Sequence, residues 1–229
     1  MHLDLSPENM RWVAQAMGVL LLSICVHEFG HAYIADKLGD DLPRRQGRLT
    51  LNPLAHADPI GTLALPLIGG LLGAATGHMG GFGWGRPVQW NPARVKRKWS
   101  MTTAVILVSV AGPAMNLLLG TVIAFVHVLL VSKHVLSRES EMNTVLYFAS
   151  MTNYTLFFFN LVPVPPLDGG HVAQSLTPYR HRSKFEEYLR YSPFIFLGLI
   201  MIPQVAQVFR IPANWCTTHV YQMFVSLFS

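Results

Sequence analysis

Three long apolar stretches constrain this chain to a membrane, because few charged side chains interrupt them. They run from Trp12 to Ala35, from Met101 to Val131 and from Asn143 to Val162. A helix needs about 20 mainly apolar residues to cross the hydrocarbon core of a bilayer, and each stretch is long enough. An α-helix satisfies its backbone hydrogen bonds within its own segment, as a chain in lipid must. We therefore predict an all-α polytopic membrane protein.

The composition supports a membrane protein and argues against a nucleic-acid partner. Hydrophobic residues make up 51% of the chain and charged residues only 13%, whereas soluble domains carry about 25% charged residues. The net charge is +5, but the basic residues lie in loops beside the apolar stretches, where they commonly set membrane orientation. The expected environment is the lipid bilayer, and no oligomeric state follows from the sequence.

The remaining segments predict additional helices and short loop structure around a single domain. Shorter or amphipathic stretches lie at Ile60–Thr76, Pro193–Phe209 and Ile211–Phe228, and Gly47–Leu51 has a pattern compatible with a short strand. There is no internal repeat and no long hydrophilic insertion. We expect one domain over residues 1–229, with its core at about 10–175 and C-terminal helices at about 190–229. Two cysteines are too few for a disulfide framework, so Cys25 and Cys216 are expected to be unpaired.

Ionisable side chains lie inside the first apolar stretch, in the pattern His27-Glu28-Phe29-Gly30-His31. Histidines four residues apart share one face of a helix, so both imidazoles can reach one metal ion while Glu28 lies beside it. The alternative is a chance pattern in which the histidines only bond to neighbours. A charged group within a membrane costs about 2.5–3.5 kcal/mol on insertion scales, which makes a functional cluster the favoured interpretation.

A catalytic zinc takes three protein ligands, and Asp168 is the favoured third. It follows Pro163, Pro165 and Pro166 at the end of the third apolar stretch, and Gly169 follows it. The prolines interrupt the helix, and glycine permits close backbone approach, so the carboxylate can turn into the bundle. Taken alone, Asp-Gly-Gly is an ordinary turn. His171 is a competing ligand that we rank below Asp168.

Together these motifs resemble the site-2 protease family of intramembrane zinc metalloproteases. The resemblance rests on the His-Glu-x-x-His motif, on a later Asn-Pro-Asp-Gly signature and on further motifs that fit a compact prokaryotic branch without a PDZ or CBS domain. The motifs besides His27–His31 are Gly47-Arg48-Leu-Thr-Leu-Asn52-Pro53, Asp58-Pro59-Ile-Gly61-Thr62, Phe82-Gly-Trp-Gly-Arg-Pro87-Val, Ala111-Gly112-Pro113-x-x-Asn116 and Asn160-x-x-Pro163-x-x-Pro166-Leu167-Asp168-Gly169-Gly170.

The resemblance implies a three-helix catalytic core, one zinc ion per chain and transmembrane proteins as substrates. It implies that His27, His31 and Asp168 bind the zinc and that Glu28 is the general base. Asn160 is a candidate for orienting the substrate or stabilising an oxyanion. Asn116 is a second such candidate, and an interhelical hydrogen bond is an equally good interpretation of it.

The proposed ligands also constrain the topology, because they must meet at one membrane depth. The first and third apolar stretches are then parallel and the second opposes them, so Ile60–Thr76 makes no net crossing and is predicted to be re-entrant or interfacial. An ordinary transmembrane helix is the alternative for this segment. The loops at 36–59, 77–100 and 165–191 hold four, five and four Lys and Arg residues, against two at 133–142. The active site is therefore expected on the cytoplasmic side of a prokaryotic cell membrane.

Two other functions compete with a protease. Membrane-embedded His and Asp side chains also form metal pathways in transporters, and an inactive relative would bind membrane proteins without cutting them. The adjacent Glu28 favours hydrolysis, because a transport path does not need a general base. For a protease, we expect an unwound substrate strand to pair with the Gly47–Leu51 edge.

Overall fold

A computed structural model of the chain describes residues 6–76 and 83–228. Within these ranges the fold is all-α, as predicted, and contains no strand. A π-helical segment, Pro59–Ala64, leads into α4, and short 3-10 turns lie at Pro92–Arg94 and Tyr179–His181. The α-helices are α1 (Pro7–Leu38), α2 (Leu42–Arg45), α3 (Pro53–His56), α4 (Leu65–Thr76), α5 (Met101–Ser132), α6 (Glu141–Asn160), α7 (Asp168–Leu176), α8 (Arg182–Met201) and α9 (Pro203–Phe228).

Helix α1 begins and ends at residues that favour helix termini. The Ser6 side chain accepts a hydrogen bond from the Asn9 amide, and Pro7 occupies the first helical position. At the other end Gly39 adopts a left-handed conformation with φ of 119°, which closes the helix by donating to the Ala35 carbonyl. The long first helix therefore follows from local sequence signals.

Helix α5 lies at the centre and packs against α1, α6, α7 and α9. It approaches α1 closely at Gly30, where an added Cβ would lie 2.7 Å from the Ala111 carbonyl oxygen. Glycine thus permits the two helix backbones to touch, as small residues do in membrane bundles. This crossing brings the His27–His31 face of α1 against α5.

Contacts along the helices show that α1 and α6 run in the same direction. Near the start of both helices Trp12 packs edge-on against Phe148, and farther along Ser23 accepts a hydrogen bond from Asn153. On α5 the order is reversed, because Asn116 bonds to α1 at Ser23 whereas Val108 bonds farther along it. This is the arrangement that the ligand positions require.

Within the described ranges, two helices are long and apolar enough to cross a membrane. These are α1 and α5, and the bent pair of Tyr179–Met201 with Pro203–Phe228, at 73°, is a third candidate. Helix α6 covers the expected span at Asn143–Val162 except its last two residues, and it does not reach the same hydropathy. Its polar residues Ser150 and Asn153 are fully buried against other helices, so they lower its hydropathy without facing lipid.

The segment at Ile60–Thr76 is one helical run whose flanking residues lie close together. The Trp84 amide donates to the Gly61 carbonyl at 3.1 Å, and Thr62 Oγ1 donates to the Trp84 carbonyl at 2.7 Å. Trp84 thus lies beside the first turn of this helical run, which is compatible with the predicted re-entrant segment. Residues 77–82 lie outside the described ranges.

The short strand expected at Gly47–Leu51 is not formed. Arg48 in this segment is buried, and its guanidinium donates to the carbonyls of Ala55 and Arg86 at 2.5 and 3.3 Å. The segment therefore packs through a side chain, and no strand among the described residues pairs with it. Cys25 and Cys216 are both free thiols, as predicted.

Candidate metal centre

Three potential metal ligands converge between α1 and the start of α7. Nε2 of His27 lies 3.0 Å from Nε2 of His31 and 3.2 Å from Oδ2 of Asp168. Nε2 of His31 lies 3.4 Å from the same carboxylate oxygen. The side chains are 11–15% exposed. The structure therefore brings together the three residues that the sequence selected as ligands. Asp168 follows His31 by 137 positions and His27 by 141.

The helix crossing makes room for the two imidazoles. They lie on one face of α1, one helical turn apart, and their rings meet edge to face. Gly112 of α5 faces them, and a Cβ at this position would lie 2.8 Å from Nε2 of His27 and still closer to Nε2 of His31. The glycine is therefore required for the imidazoles to occupy this space.

A compact turn between α6 and α7 places Asp168. The turn spans residues 161–167, and Asp168 is the first residue of α7. A Cβ at Gly170 would lie 2.5 Å from the Pro165 amide nitrogen, and one at Gly169 would overlap the Leu161 carbonyl. The paired glycines thus let α7 start directly against the turn, and this position directs the carboxylate towards α1.

Hydrogen bonds fix which nitrogen of each histidine bears a proton. Nδ1 of His27 lies 2.6 Å from Oδ1 of Asn116, and Nδ1 of His31 lies 2.7 Å from the Val108 carbonyl oxygen. Both partners are acceptors, so both Nδ1 atoms must donate. In the neutral imidazole each Nε2 then presents a lone pair towards Asp168, which is the form that binds a metal ion.

The donor set fits a zinc ion. The two Nε2 atoms and the carboxylate oxygen face one another, and the buried Oδ2 of Asp168 has no well-aligned hydrogen bond. With neutral imidazoles these three acceptors repel one another unless a cation or a shared proton lies between them. Tetrahedral zinc with ligand bonds of about 2.0–2.1 Å separates its ligands by roughly 3.3 Å, close to the observed 3.0–3.4 Å.

Glu28 lies beside this cluster and is held by a backbone amide. Its side chain is buried, and Oε2 accepts a hydrogen bond from the Val88 N–H at 3.0 Å. Glu28, His27, His31 and Asp168 all line one cavity of about 850 Å³. The carboxylate therefore has access to the same space as the three candidate ligands.

Three further residues were considered for the site: Asn160, Asn116 and His171. None of them belongs to the group of three candidate ligands. Asn160 lines the cavity, and its Nδ2 donates to the Leu156 carbonyl at 2.9 Å. Asn116 is fully buried and bonds to His27, so its contacts match the interhelical interpretation. His171 is exposed and lines the cavity, but it is not part of the ligand group.

The chain resembles known proteins along most of its length. The sequence profile described as Peptidase family M50 matches residues 133–202. A protein of Bacillus subtilis (strain 168) named "Putative zinc metalloprotease YwhC" is 36% identical over 215 residues, which cover 91% of this chain and 90% of that protein. The chain belongs to peptidase family M50. The site-2 protease family predicted from the motifs is thereby confirmed.

Two similar mycobacterial proteins are longer than this chain. "Putative zinc metalloprotease Rip2" of Mycolicibacterium smegmatis is 33% identical over 165 residues, covering 71% of this chain and 58% of that protein. Rip2 of Mycobacterium tuberculosis (strain Erdman) is 36% identical over 154 residues, covering 65% and 52%. The chain thus matches little more than half of each Rip2 protein. No solved structure matches the chain significantly.

An extended segment, Trp84–Trp90, covers Glu28 in this M50 member and was not predicted. Three of its alternate residues bond to the protein body: Trp84 to Gly61, Arg86 to His56 and Val88 to Glu28. The Arg48 guanidinium also donates a hydrogen bond to the Arg86 carbonyl. Burial lowers the pKa of the Arg48 guanidinium, and nearby Arg86 lowers it further while Glu28 raises it.

Sequence reasoning also missed polar residues behind the group of His27, His31 and Asp168. Asn153 and Ser23 are buried and bond to each other and to Asn116. A signal was present, because each is a polar residue within an apolar stretch, where an unpaired side chain is costly. The Val108 carbonyl carried no such signal, because its role depends on how the helices cross.

Proposed function

We propose that this chain is an intramembrane zinc metalloprotease that hydrolyses peptide bonds in or near the transmembrane segments of other membrane proteins. The single observation that carries the proposal is the convergence of His27, His31 and Asp168 beside Glu28 in one cavity. Membership of peptidase family M50 and the zinc metalloprotease names of its relatives support it. The whole chain acts as one catalytic domain in this proposal.

The residues of the cluster divide the chemistry between them. His27, His31 and Asp168 hold one zinc ion, with both Nδ1 atoms donating behind it. When bound, zinc lowers the pKa of water and polarises the scissile carbonyl. The three-ligand set leaves space for a substrate on the cavity side, which is typical of catalytic rather than structural zinc.

Glu28 is the general base. Its carboxylate takes a proton from the attacking water and delivers it to the leaving amine nitrogen. The Val88 amide anchors one oxygen of this carboxylate at 3.0 Å, which keeps it aimed into the cavity instead of rotating away. Hydrolysis thus consumes one water and leaves Glu28 in its starting state.

Asn160 is the substrate-orienting residue of this proposal. One of its two amide N–H groups donates to Leu156, which leaves the other and the carbonyl oxygen for a bound peptide. Asn116 does not act on the oxyanion. Its carbonyl oxygen contacts His27, and its amide nitrogen donates to Ser23 and Asn153.

The substrate pairs with the Trp84–Trp90 segment and not with Gly47–Leu51. Successive residues of an extended chain point to opposite edges. Since Trp84, Arg86 and Val88 bond to the protein body, Gly85, Pro87 and Gln89 present the opposite edge, where Pro87 offers only its carbonyl. Residues of this segment line the cavity. An unwound substrate strand adds to this edge.

Substrate peptides with single N-methylated amides test this pairing. Strand pairing predicts that cleavage falls at alternate positions near the scissile bond, because alternate N–H groups face the enzyme edge. Loss of cleavage without a period of two would refute strand addition. Unmethylated peptides of the same sequence provide the reference rate.

We further propose that α6 spans the membrane and that the active site faces the cytoplasm of a prokaryotic cell. The Lys- and Arg-rich loops at 36–59, 77–100 and 165–191 support this orientation. A reporter fused after Gly81 is expected to give a cytoplasmic signal. A periplasmic signal there would mean that the segment at 60–76 crosses the membrane.

Substitution of Glu28 separates a protease from a metal transporter or an inactive binding protein. Purified Glu28→Gln protein should retain one zinc per chain but lose cleavage of transmembrane peptides, because the amide cannot accept a proton. Wild-type protein that moves zinc into liposomes and cleaves no peptide would favour transport. Wild-type protein that neither transports nor cleaves would favour the inactive relative. Asp41→Ala, an exposed carboxylate, serves as control.

A further inference from the structure

The structure contains a buried series of hydrogen bonds that begins at His27, on the far side of its ring from Asp168, and reaches α6. It runs from His27 through Asn116 to Asn153, and both asparagines are fully buried. Oδ1 of Asn116 lies 2.6 Å from Nδ1 of His27, and Nδ2 of Asn116 donates to Oδ1 of Asn153 at 2.9 Å. Helices α1, α5 and α6 therefore contribute one side chain each to this series of hydrogen bonds.

The direction of each amide is dictated by carbonyl oxygens that can only accept. Asn153 Nδ2 donates to the Ala149 carbonyl at 2.9 Å and to Ser23 Oγ at 2.9 Å, so Oδ1 of Asn153 is turned towards Asn116. Asn116 Nδ2 donates to this oxygen and to the Ser23 carbonyl at 3.0 Å. The Asn116 oxygen must then point at His27.

This order of donors selects the tautomer of His27. Because an oxygen faces Nδ1, the neutral ring carries its proton on Nδ1, and Nε2 retains its lone pair. A flipped Asn116 amide would set its oxygen against the Ser23 carbonyl and against Oδ1 of Asn153, leaving acceptors facing each other in a buried site. The flipped state would also remove the acceptor that holds the proton on Nδ1.

We propose that Asn153 is a positioning residue for the metal centre, which acts on His27 through Asn116. The inference rests on the proposed function, since it assigns a role in metal binding. Asn153 touches neither the metal ligands' binding atoms nor the substrate space, and its effect is to keep Asn116 in the orientation that makes Nε2 of His27 available. Apparent metal affinity falls in proportion to the fraction of molecules in the competent state.

The test is a double-mutant cycle read by Co²⁺ titration of the purified, metal-free protein. Asn116→Leu should weaken Co²⁺ affinity by about 10–100-fold, the usual range for partners of metal-binding histidines. Asn153→Leu should weaken it by a smaller factor. The double variant should be no weaker than Asn116→Leu alone, because Asn153 acts through Asn116.

A matched control separates positioning from packing. Ser150 is as fully buried on α6 as Asn153, and its hydroxyl donates to the Gly120 carbonyl at 2.9 Å without reaching His27. Ser150→Ala should leave Co²⁺ affinity unchanged. Equal losses in Ser150→Ala and Asn153→Leu, or additive losses in the double variant, would overturn the proposal.

A second readout needs no destabilised variant. In ¹⁵N-histidine spectra of the metal-free wild type, His27 should carry its proton on Nδ1, with the resonance assigned by its absence in His27→Gln. A neutral His27 ring with its proton on Nε2 and none on Nδ1 would overturn the inference even if the protein binds metal. Failure of the wild type to bind Co²⁺ at all would instead refute the proposed function, and the positioning role with it.

Discussion

The molecule contains two buried histidine clusters on α5 and its neighbours, and they differ in whether donors and acceptors match. Around His127 every contact is complementary: Nδ1 lies 2.9 Å from the Tyr221 hydroxyl, and Nε2 lies 3.0 Å from Oδ1 of Asn143. At His27 and His31, lone pairs and a carboxylate oxygen face one another. The first cluster is satisfied by neutral groups, whereas the second has room for a shared proton or a metal ion between its three atoms.

This difference teaches that a histidine within an apolar helix is not in itself evidence for a metal site. His127 is 8% exposed and His31 is 9% exposed, so burial does not distinguish them. What distinguishes them is the partner of each ring nitrogen. A hydroxyl and an amide oxygen satisfy the two ring nitrogens of His127. Its hydrogen bonds therefore link α5 to neighbouring helices.

Removing Asp168 should have the largest effect of any change to either cluster. Asp168→Ala deletes one of three ligands, so we expect zinc binding and proteolysis to fall by more than about 100-fold, above the range for outer partners of a metal site. Metal analysis of purified protein and peptide cleavage measure the two losses. Full zinc content in Asp168→Ala would show that the carboxylate is not a ligand.

A smaller loss is expected when the space for the imidazoles is reduced. Gly112→Ala places a methyl group against Nε2 of both His27 and His31, which should weaken Co²⁺ affinity by about 10–100-fold through displaced ligands. Gly18→Ala on α1 is the control, because nothing lies within 4 Å of a Cβ there. If both variants bind Co²⁺ like the wild type, the helix crossing does not shape the site.

The complementary cluster should respond in stability and not in metal binding. His127→Leu leaves the Tyr221 hydroxyl and Oδ1 of Asn143 without their partner, which costs about 1–3 kcal/mol of unfolding free energy. Thermal unfolding in detergent should show this loss, while zinc content and cleavage per folded molecule stay unchanged. Tyr221→Phe removes a single donor and should cost less. Zinc loss in His127→Leu would contradict the separation of the two clusters.

Features encoded by short spacing were predictable from the sequence. The ligand pair depends on a four-residue spacing in one helix, and the start of α1 depends on Ser6 and Pro7. Asp168 was also predictable as a candidate ligand, because the neighbouring prolines and glycines mark the helix end at which its carboxylate turns into the bundle. These signals lie within a few residues of the groups they position.

Features that depend on how distant segments meet were not predictable. The strand expected at Gly47–Leu51 fails because Arg48 reaches two carbonyls outside that segment. The Trp84–Trp90 segment is extended through bonds to three separate parts of the chain. The hydropathy of α6 understates its burial, because its polar side chains find partners that only the packed bundle supplies.

Zinc K-edge X-ray absorption of the purified wild-type protein tests the central claim most directly. The account predicts one zinc per chain bound by two imidazole nitrogens at about 2.0–2.1 Å and by one carboxylate oxygen at about 2.0–2.2 Å, with no sulfur ligand near 2.3 Å. A zinc-free protein, or a zinc without imidazole ligands, would contradict it.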